Sequence, residues 1–240
     1  MLDLIVANTQ PVEDHWLDMF LNSWWFFIVL LLPLFAVCKV KLTFARWNKV
    51  KTQGGRIAAD IARELLDANG LHDVAIVQHP GNLSDHYDPR SRTVALSESV
   101  YGKDTVGAIA VAAHEVGHAI QHGTDYTPLK ARSALVPVVN FGSKVWLILI
   151  IASLFLEITG LFWFGVAVMS FSVLFHLVTF PVELDASRRA MSALSTQGYL
   201  VGKEVGGARS TLNAAAFTYL AALVASIIQL LRIIAIARRR

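Results

Sequence analysis

Long apolar runs separated by one polar region divide this chain into membrane-spanning and soluble parts. A helix needs about 20 apolar residues to cross a hydrocarbon core of about 30 Å. Runs of that length predict spans at residues 17–40, 138–156 and 161–180. The last two are predicted to form a hairpin, because the apolar stretch 145–180 is too long for one span and is interrupted at 157–160.

A fourth apolar stretch covers residues 212–237 and follows a polar segment at 181–211. It is long enough to cross a membrane and contains few polar residues, so a crossing is the favoured interpretation. A full crossing would leave Arg232 and residues 238–240 outside, against the positive-inside rule. An interfacial or re-entrant helix is therefore the alternative.

Residues 41–137 are polar enough to form a soluble region beside the membrane. Helical spacing of apolar positions, alternation of apolar and polar positions, and turn residues locate its elements. The predicted elements are a helix over 56–68, strands over 74–77 and 92–97 with a turn-rich loop between them, and a helix over 105–122 with Asp104 as N-cap.

The distribution of basic residues predicts the orientation in the membrane. Five basic residues lie near the C-terminal end of the first span, namely Lys39, Lys41, Arg46, Lys49 and Lys51. The positive-inside rule therefore places residues 41–137 and 181–211 in the cytoplasm. Residues 1–16 are acidic and contain no Lys or Arg, so we expect an extracytoplasmic tail that is not a cleaved signal peptide.

Composition agrees with an integral membrane protein. The 240 residues are 55% hydrophobic and only 16% charged, and the mean hydropathy is +0.51. The lipid bilayer is thus a predicted partner. A net charge of +3, with the basic residues beside apolar runs, does not predict nucleic-acid binding. The single cysteine, Cys38, excludes an intrachain disulfide.

The predicted helix 105–122 carries the sequence His-Glu-x-x-His. On a helix, His114 and His118 lie on one face about one turn apart, close enough to bind a single metal ion. Two imidazoles suit Zn2+, which lowers the pKa of a bound water towards neutrality. Glu115, between them, can take the proton from that water.

A third protein ligand must come from elsewhere. One known arrangement has a third histidine ten residues after the first, but that position is Thr124. His122 continues the spacing of four residues, yet three successive histidines would rise about 12 Å along the helix. We therefore interpret His122 as a residue near the helix end that supports the site without binding the metal.

Glu183 is the better candidate for the third ligand. It follows the second arm of the hairpin, and two crossings return the chain to the side of His114 and His118. Two alternatives remain: Glu183 is a surface carboxylate, or Asp185 is the ligand instead.

Five segments together resemble the YugP-type membrane zinc metallopeptidases of bacteria, also called neutral zinc metallopeptidase family 2. They are H-P-G-N-L-S-D-H-Y-D-P, A-A-H-E-V-G-H-A-I-Q-H, L-V-P-V-V-N-F-G-S, F-P-V-E-L-D-A-S-R-R-A and L-N-A-A-A-F-T-Y. The resemblance covers about residues 40–231. It implies a zinc peptidase of a bacterial plasma membrane, but it names no substrate. We expect one Zn2+ and a peptide or membrane-protein substrate, and no oligomeric state is predicted.

The order of metal helix, hairpin and Glu-x-x-Ala is more distantly similar to the HtpX and CAAX-protease type of membrane gluzincin. That pattern implies Glu183 as third ligand. It also expects an aspartate four residues later, where this chain has Ser187. Asp185 or Ser187 is then the candidate to support a metal-binding histidine.

The predicted fold is mainly α and integral to the membrane, with about four spanning helices and a small α+β zincin-like cytoplasmic region. The strand before the metal helix is expected at the sheet edge, where it could bind substrate backbone. The predicted reaction is peptide hydrolysis at the cytoplasmic face, with Glu115 as general base. Candidates to stabilise the oxyanion are His86, His176, Arg189 and Tyr219.

Two other functions fit parts of the sequence. An intramembrane site-2-type protease would require a distant Leu-Asp-Gly motif, which the sequence lacks. A zinc-binding membrane scaffold without catalysis is the other alternative, but binding alone would not require Glu115 beside the first histidine.

Overall fold

Four long helices dominate the computed structural model, which describes residues 23–237. They are α1 (Trp24–Trp47), α4 (Thr127–Leu156), α5 (Thr159–Thr196) and α6 (Lys203–Ala237). Between α1 and α4 lie α2 (Ala58–Ala68), β1 (Ala75–His79), β2 (His86–Asp88), β3 (Thr93–Ser97) and α3 (Val106–Gly123). Each of the four long helices is long and apolar enough to cross a membrane. The predicted fold class, mainly α with a small α+β region, is confirmed.

Three predicted features fall outside the described residues. They are the acidic tail at 1–16, the first residues of the predicted span 17–40, and the basic residues 238–240.

Helices α1 and α6 run antiparallel along the bundle. Near the start of α1, the guanidinium of Arg232 lies 5.5 Å from the ring centroid of Trp25. At the other end, the ring of Trp47 packs on Gly207, where a Cβ atom would lie 2.5 Å from the nearest ring atom. Helix α6 therefore runs the whole length of the bundle and ends beside the start of α1.

Helices α4 and α5 form the predicted hairpin. Its tip is Glu157 and Ile158, with Glu157 in the left-handed conformation at φ 56°. Helix α5 extends well beyond the predicted span 161–180, through Pro181 to Thr196. Continuing the helix buries one row of residues spaced by four, namely Val182, Ala186, Ala190 and Leu194. This burial outweighs the hydrogen bond that a proline inside a helix cannot donate.

The sheet has the strand order β1-β3-β2, with β1 parallel and β2 antiparallel to β3. The predicted strands at 74–77 and 92–97 correspond to β1 and β3. The prediction that β3 is an edge strand was wrong, because β2 covers it from within the predicted loop. Strand β2 was not predicted, because its three residues are too few to show an alternation of apolar and polar positions.

Buried apolar side chains from α2, β3, α3 and the end of α5 form one core; the largest include Ile61, Leu65, Leu96, Ile109 and Leu194. Helix α3 lies in this core and is buried over most of its length. Its N-cap is Thr105, not the predicted Asp104, and no side chain caps it. Asp104 instead forms an ion pair with Lys51 at 3.0 Å.

Backbone atoms of α3 and α5 approach each other closely at Gly117. A Cβ atom on Gly117 would lie 2.6 Å from the carbonyl oxygen of Ala186, far inside van der Waals contact. Only glycine permits this approach. The contact brings the second histidine of α3, one residue away, next to the part of α5 that carries Glu183.

We expect Gly117→Ala to lower the midpoint of thermal unfolding in detergent, because the new methyl group forces α3 away from α5. Overpacking of this kind costs about 1–3 kcal/mol. The matched control is Gly206→Ala on α6, where nothing lies within 4 Å of the added Cβ. The control should keep or raise the midpoint, since alanine favours helix over glycine by about 1 kcal/mol. Equal midpoints for the two variants would contradict this account of the helix contact.

Candidate metal site

His114 and His118 lie one turn apart on the buried face of α3. Their rings meet edge to face with the centroids 4.7 Å apart. Both residues are buried, with 9% and 8% of their surfaces exposed. The spacing of four residues therefore places two imidazoles side by side, as the sequence predicts.

Helix α5 brings Glu183 to these two imidazoles. Its Oε2 atom lies 3.2 Å from Nε2 of His114 and 3.4 Å from Nε2 of His118. One donor atom from each of the three residues lies within 4.8 Å of the others. Glu183 is 2% exposed, so the structure does not support the alternative that it is a surface carboxylate.

The other ring nitrogen of each histidine faces a polar side chain. Nδ1 of His114 lies 3.2 Å from the Ser187 hydroxyl oxygen, and Nδ1 of His118 lies 3.0 Å from Oε1 of Gln121. If each Nδ1 carries the proton and donates it, each Nε2 keeps a free lone pair on the side of Glu183. Ser187 thus occupies the supporting position for which the distant resemblance expects an aspartate.

Gln121 is held in one orientation by two acceptors. Its Nε2 atom donates to the backbone oxygen of Val182 at 2.8 Å and to Oδ2 of Asp185 at 3.0 Å. Its Oε1 atom must therefore face His118 as an acceptor, which requires a proton on Nδ1 of that ring. Asp185 supports His118 through Gln121 and lies outside the group of three donor atoms.

Two imidazoles and one carboxylate are a donor set that fits Zn2+. The surroundings of Glu183 fit a cation as well, because the Oε2 atom of this buried carboxylate faces the Nε2 atoms of both histidines, and its Oε1 atom accepts no aligned hydrogen bond from the described residues. The nearest cationic group is Arg132, whose Nη1 lies 3.1 Å from Oε1. A buried carboxylate is stabilised by positive charge and hydrogen-bond donors nearby.

Glu115 lines the same cavity as the two histidines. The cavity has a volume of about 540 Å³ and is bounded by β2 with the following turn, by α3, by the first half of α4, and by α5 and α6. Burial raises the pKa of the Glu115 carboxyl, and the neighbouring His114 and His118 oppose this shift. A raised pKa makes the carboxylate a stronger proton acceptor.

The structure brings only some of the proposed oxyanion groups to this cavity. His86, the first residue of β2, and Tyr219 on α6 both line it. Arg189 does not; its Nε donates to Asp185 at 2.7 Å. His176 lies on α5 seven residues before Glu183, within the apolar part of the helix, and does not line the cavity either.

His122 also lies apart from the group of three donor atoms. Its Nδ1 forms a hydrogen bond of 2.8 Å with the hydroxyl of Tyr87 on β2. It thus connects the end of α3 to the edge strand, which agrees with its predicted position outside the metal ligands.

Sequence reasoning missed two residues at the site, Gln121 and Arg132. Gln121 could have been found, because it follows His118 by three residues and so shares its helix face. Arg132 gave no such signal. It comes from the start of α4, a helix that carries none of the three donor atoms.

We expect Gln121→Met to weaken zinc binding by about 10–100-fold, the usual effect of removing a hydrogen bond to a metal-binding histidine. Methionine fills a similar volume, but its thioether sulfur is only a weak acceptor for the proton on Nδ1 of His118. Competition with a chelator measures the affinity. The matched control is His122→Ala, which should bind zinc like the wild type; a loss of zinc in this control would make His122 a ligand.

Comparison with known proteins identifies the family of this chain. The chain matches the family described as "Putative neutral zinc metallopeptidase" over residues 23–238. A protein of Bacillus subtilis (strain 168), "Putative membrane protease YugP", is 43% identical over 205 residues, which cover 85% of this chain and 91% of that protein. No solved structure shows a significant match. The resemblance read from the motifs is confirmed: the chain belongs to the neutral zinc metallopeptidase family and is similar to a membrane protease over most of its length.

Proposed function

We propose that this protein is a gluzincin-type peptidase that binds one Zn2+ through His114, His118 and Glu183 and hydrolyses peptide bonds at the cytoplasmic face of the membrane. The observation that carries the proposal is the convergence of these three donor atoms within 4.8 Å. Glu115 lies beside them at the same open cavity.

A bound Zn2+ would polarise the scissile carbonyl group and lower the pKa of the attacking water. Glu115 accepts the proton of that water and later donates it to the leaving amine. His86 and Tyr219 line the cavity and can donate hydrogen bonds to the developing oxyanion. Ser187 and Gln121 keep the histidine rings in the orientation that presents Nε2.

The position of the site supports a substrate at the membrane surface. Glu183 follows the predicted span 161–180 by three residues, a rise of about 4.5 Å along the helix. The cavity is also lined by Val136 and Pro137, which lie just before the predicted span 138–156, and by Asn140 within it. Residues of the long helices and residues of the soluble region thus both line the cavity. A peptide or membrane protein is the substrate we propose.

A zinc-binding scaffold without catalysis is the second candidate function. It explains the three donor atoms equally well. It does not explain an acidic residue that is buried next to the donor atoms and also lines an open cavity. The two functions differ in what the loss of the Glu115 carboxylate should do.

We expect Glu115→Gln to keep zinc and lose peptidase activity, because glutamine has nearly the same shape but cannot accept the proton of water. General acid–base catalysis contributes about 10²–10⁴-fold, so kcat should fall within that range. The purified protein in detergent is assayed for zinc content and for cleavage of casein and of unfolded membrane proteins.

The control for that experiment is Glu183→Ala, which should lose both zinc and cleavage because it removes a donor atom. Full activity in Glu115→Gln would overturn the mechanism. Normal zinc retention in Glu183→Ala would overturn the ligand assignment, and absence of cleavage by the wild type would favour the scaffold.

The cytoplasmic orientation predicts a labelling pattern. In a Cys38→Ala background, Glu157→Cys at the hairpin tip should react with a membrane-impermeant maleimide in spheroplasts. Lys203→Cys, at the start of α6, should react only after the membrane is opened. Both positions are exposed. The reverse pattern would place the site on the outer face.

A further inference from the structure

The two oxygens of Glu183 have different surroundings. Oε2 lies 3.2 Å from Nε2 of His114 and 3.4 Å from Nε2 of His118. Oε1 lies instead 3.1 Å from Nη1 of Arg132. Since the side chain of Glu183 is only 2% exposed, water does not compensate the charge on Oε1.

Arg132 is placed to hold this carboxylate. It lies near the start of α4, its side chain is 28% exposed, and it lines the cavity beside the donor atoms. Within residues 23–237, Glu183 is the only acidic group that it pairs with. A guanidinium does not lose its proton at ordinary pH, so this positive charge is permanent.

We propose that Arg132 is a positioning residue that binds Oε1 of Glu183 and thereby leaves Oε2 as the single oxygen directed at the metal. A carboxylate can bind a metal through one oxygen or through both. Binding through both would occupy coordination space that a catalytic metal needs for water. The inference rests on the proposed function for the identity of the metal, while the contact itself is independent of it.

This role would make the start of α4 a part of the metal site. Helix α3 supplies the histidines and α5 supplies the carboxylate, but neither supplies the cation that orients it. Arg132 reaches Glu183 only while the two arms of the hairpin stay packed against each other. Metal binding is therefore coupled to the packing of the hairpin.

The test compares Arg132→Gln and Arg132→Lys with the wild type, in the full chain in detergent. Zinc affinity is measured by chelator competition, and the geometry at the metal by the visible absorption of the Co2+-substituted protein. We expect Arg132→Gln to bind zinc about 10–100-fold more weakly and to shift the Co2+ bands. Arg132→Lys keeps the charge and should recover part of the affinity.

The matched control is Arg90→Gln, which removes another arginine that lines the cavity without contacting Glu183. It should leave zinc affinity and the Co2+ spectrum unchanged. If Arg132→Gln is too unstable to purify, Arg132→Lys alone tests the proposal. The lysine ammonium is a point charge that does not reproduce the planar guanidinium, so the Co2+ bands should still shift.

The proposal would be overturned if both Arg132 variants kept the zinc affinity and the Co2+ spectrum of the wild type. If variants with unchanged zinc binding nevertheless lost cleavage, Arg132 would act on the substrate and not on Glu183. A wild type that binds zinc but cleaves no peptide would overturn the proposed function alone, because the affinity and spectral differences would still be measurable.

Discussion

The close approach of α3 and α5 at Gly117 determines where the donor atoms of this protein lie. The carbonyl oxygen of Ala186 occupies the space in which any other residue at position 117 would carry its Cβ atom. One residue along α3 is His118, and three residues back along α5 is Glu183. A small error in the distance between these two helices would therefore separate the carboxylate from the imidazoles.

Sequence reasoning found the features that depend on spacing and on the number of crossings. The pairing of His114 with His118 follows from the helical repeat, and the return of Glu183 to the same end of the bundle follows from a hairpin of two long helices. Features that depend on packing were missed. Hydropathy predicts where a helix leaves the hydrocarbon core but not where it ends, so the continuation of α5 to Thr196 was not visible.

The same limit explains the errors around the sheet and the site. β2 has three residues and lies among turn residues, so β3 was mistaken for an edge. Arg132 reaches Glu183 across the hairpin, and its contact depends on how two helices pack rather than on a local pattern. Ser187 was found only as one of two alternatives, because a hydroxyl and a carboxylate can both accept a hydrogen bond.

Helix α5 is one continuous rod with 38 residues, about 57 Å long at 1.5 Å per residue. Glu183 lies 24 residues from the hairpin end of that rod, a distance of about 36 Å. A tilt of about 5° around the hairpin end would displace Glu183 by about 3 Å, as much as its present separation from the imidazoles. Packing against neighbouring helices sets the tilt of a membrane helix. The contact at Gly117 therefore has to hold the direction of this long helix to within a few degrees.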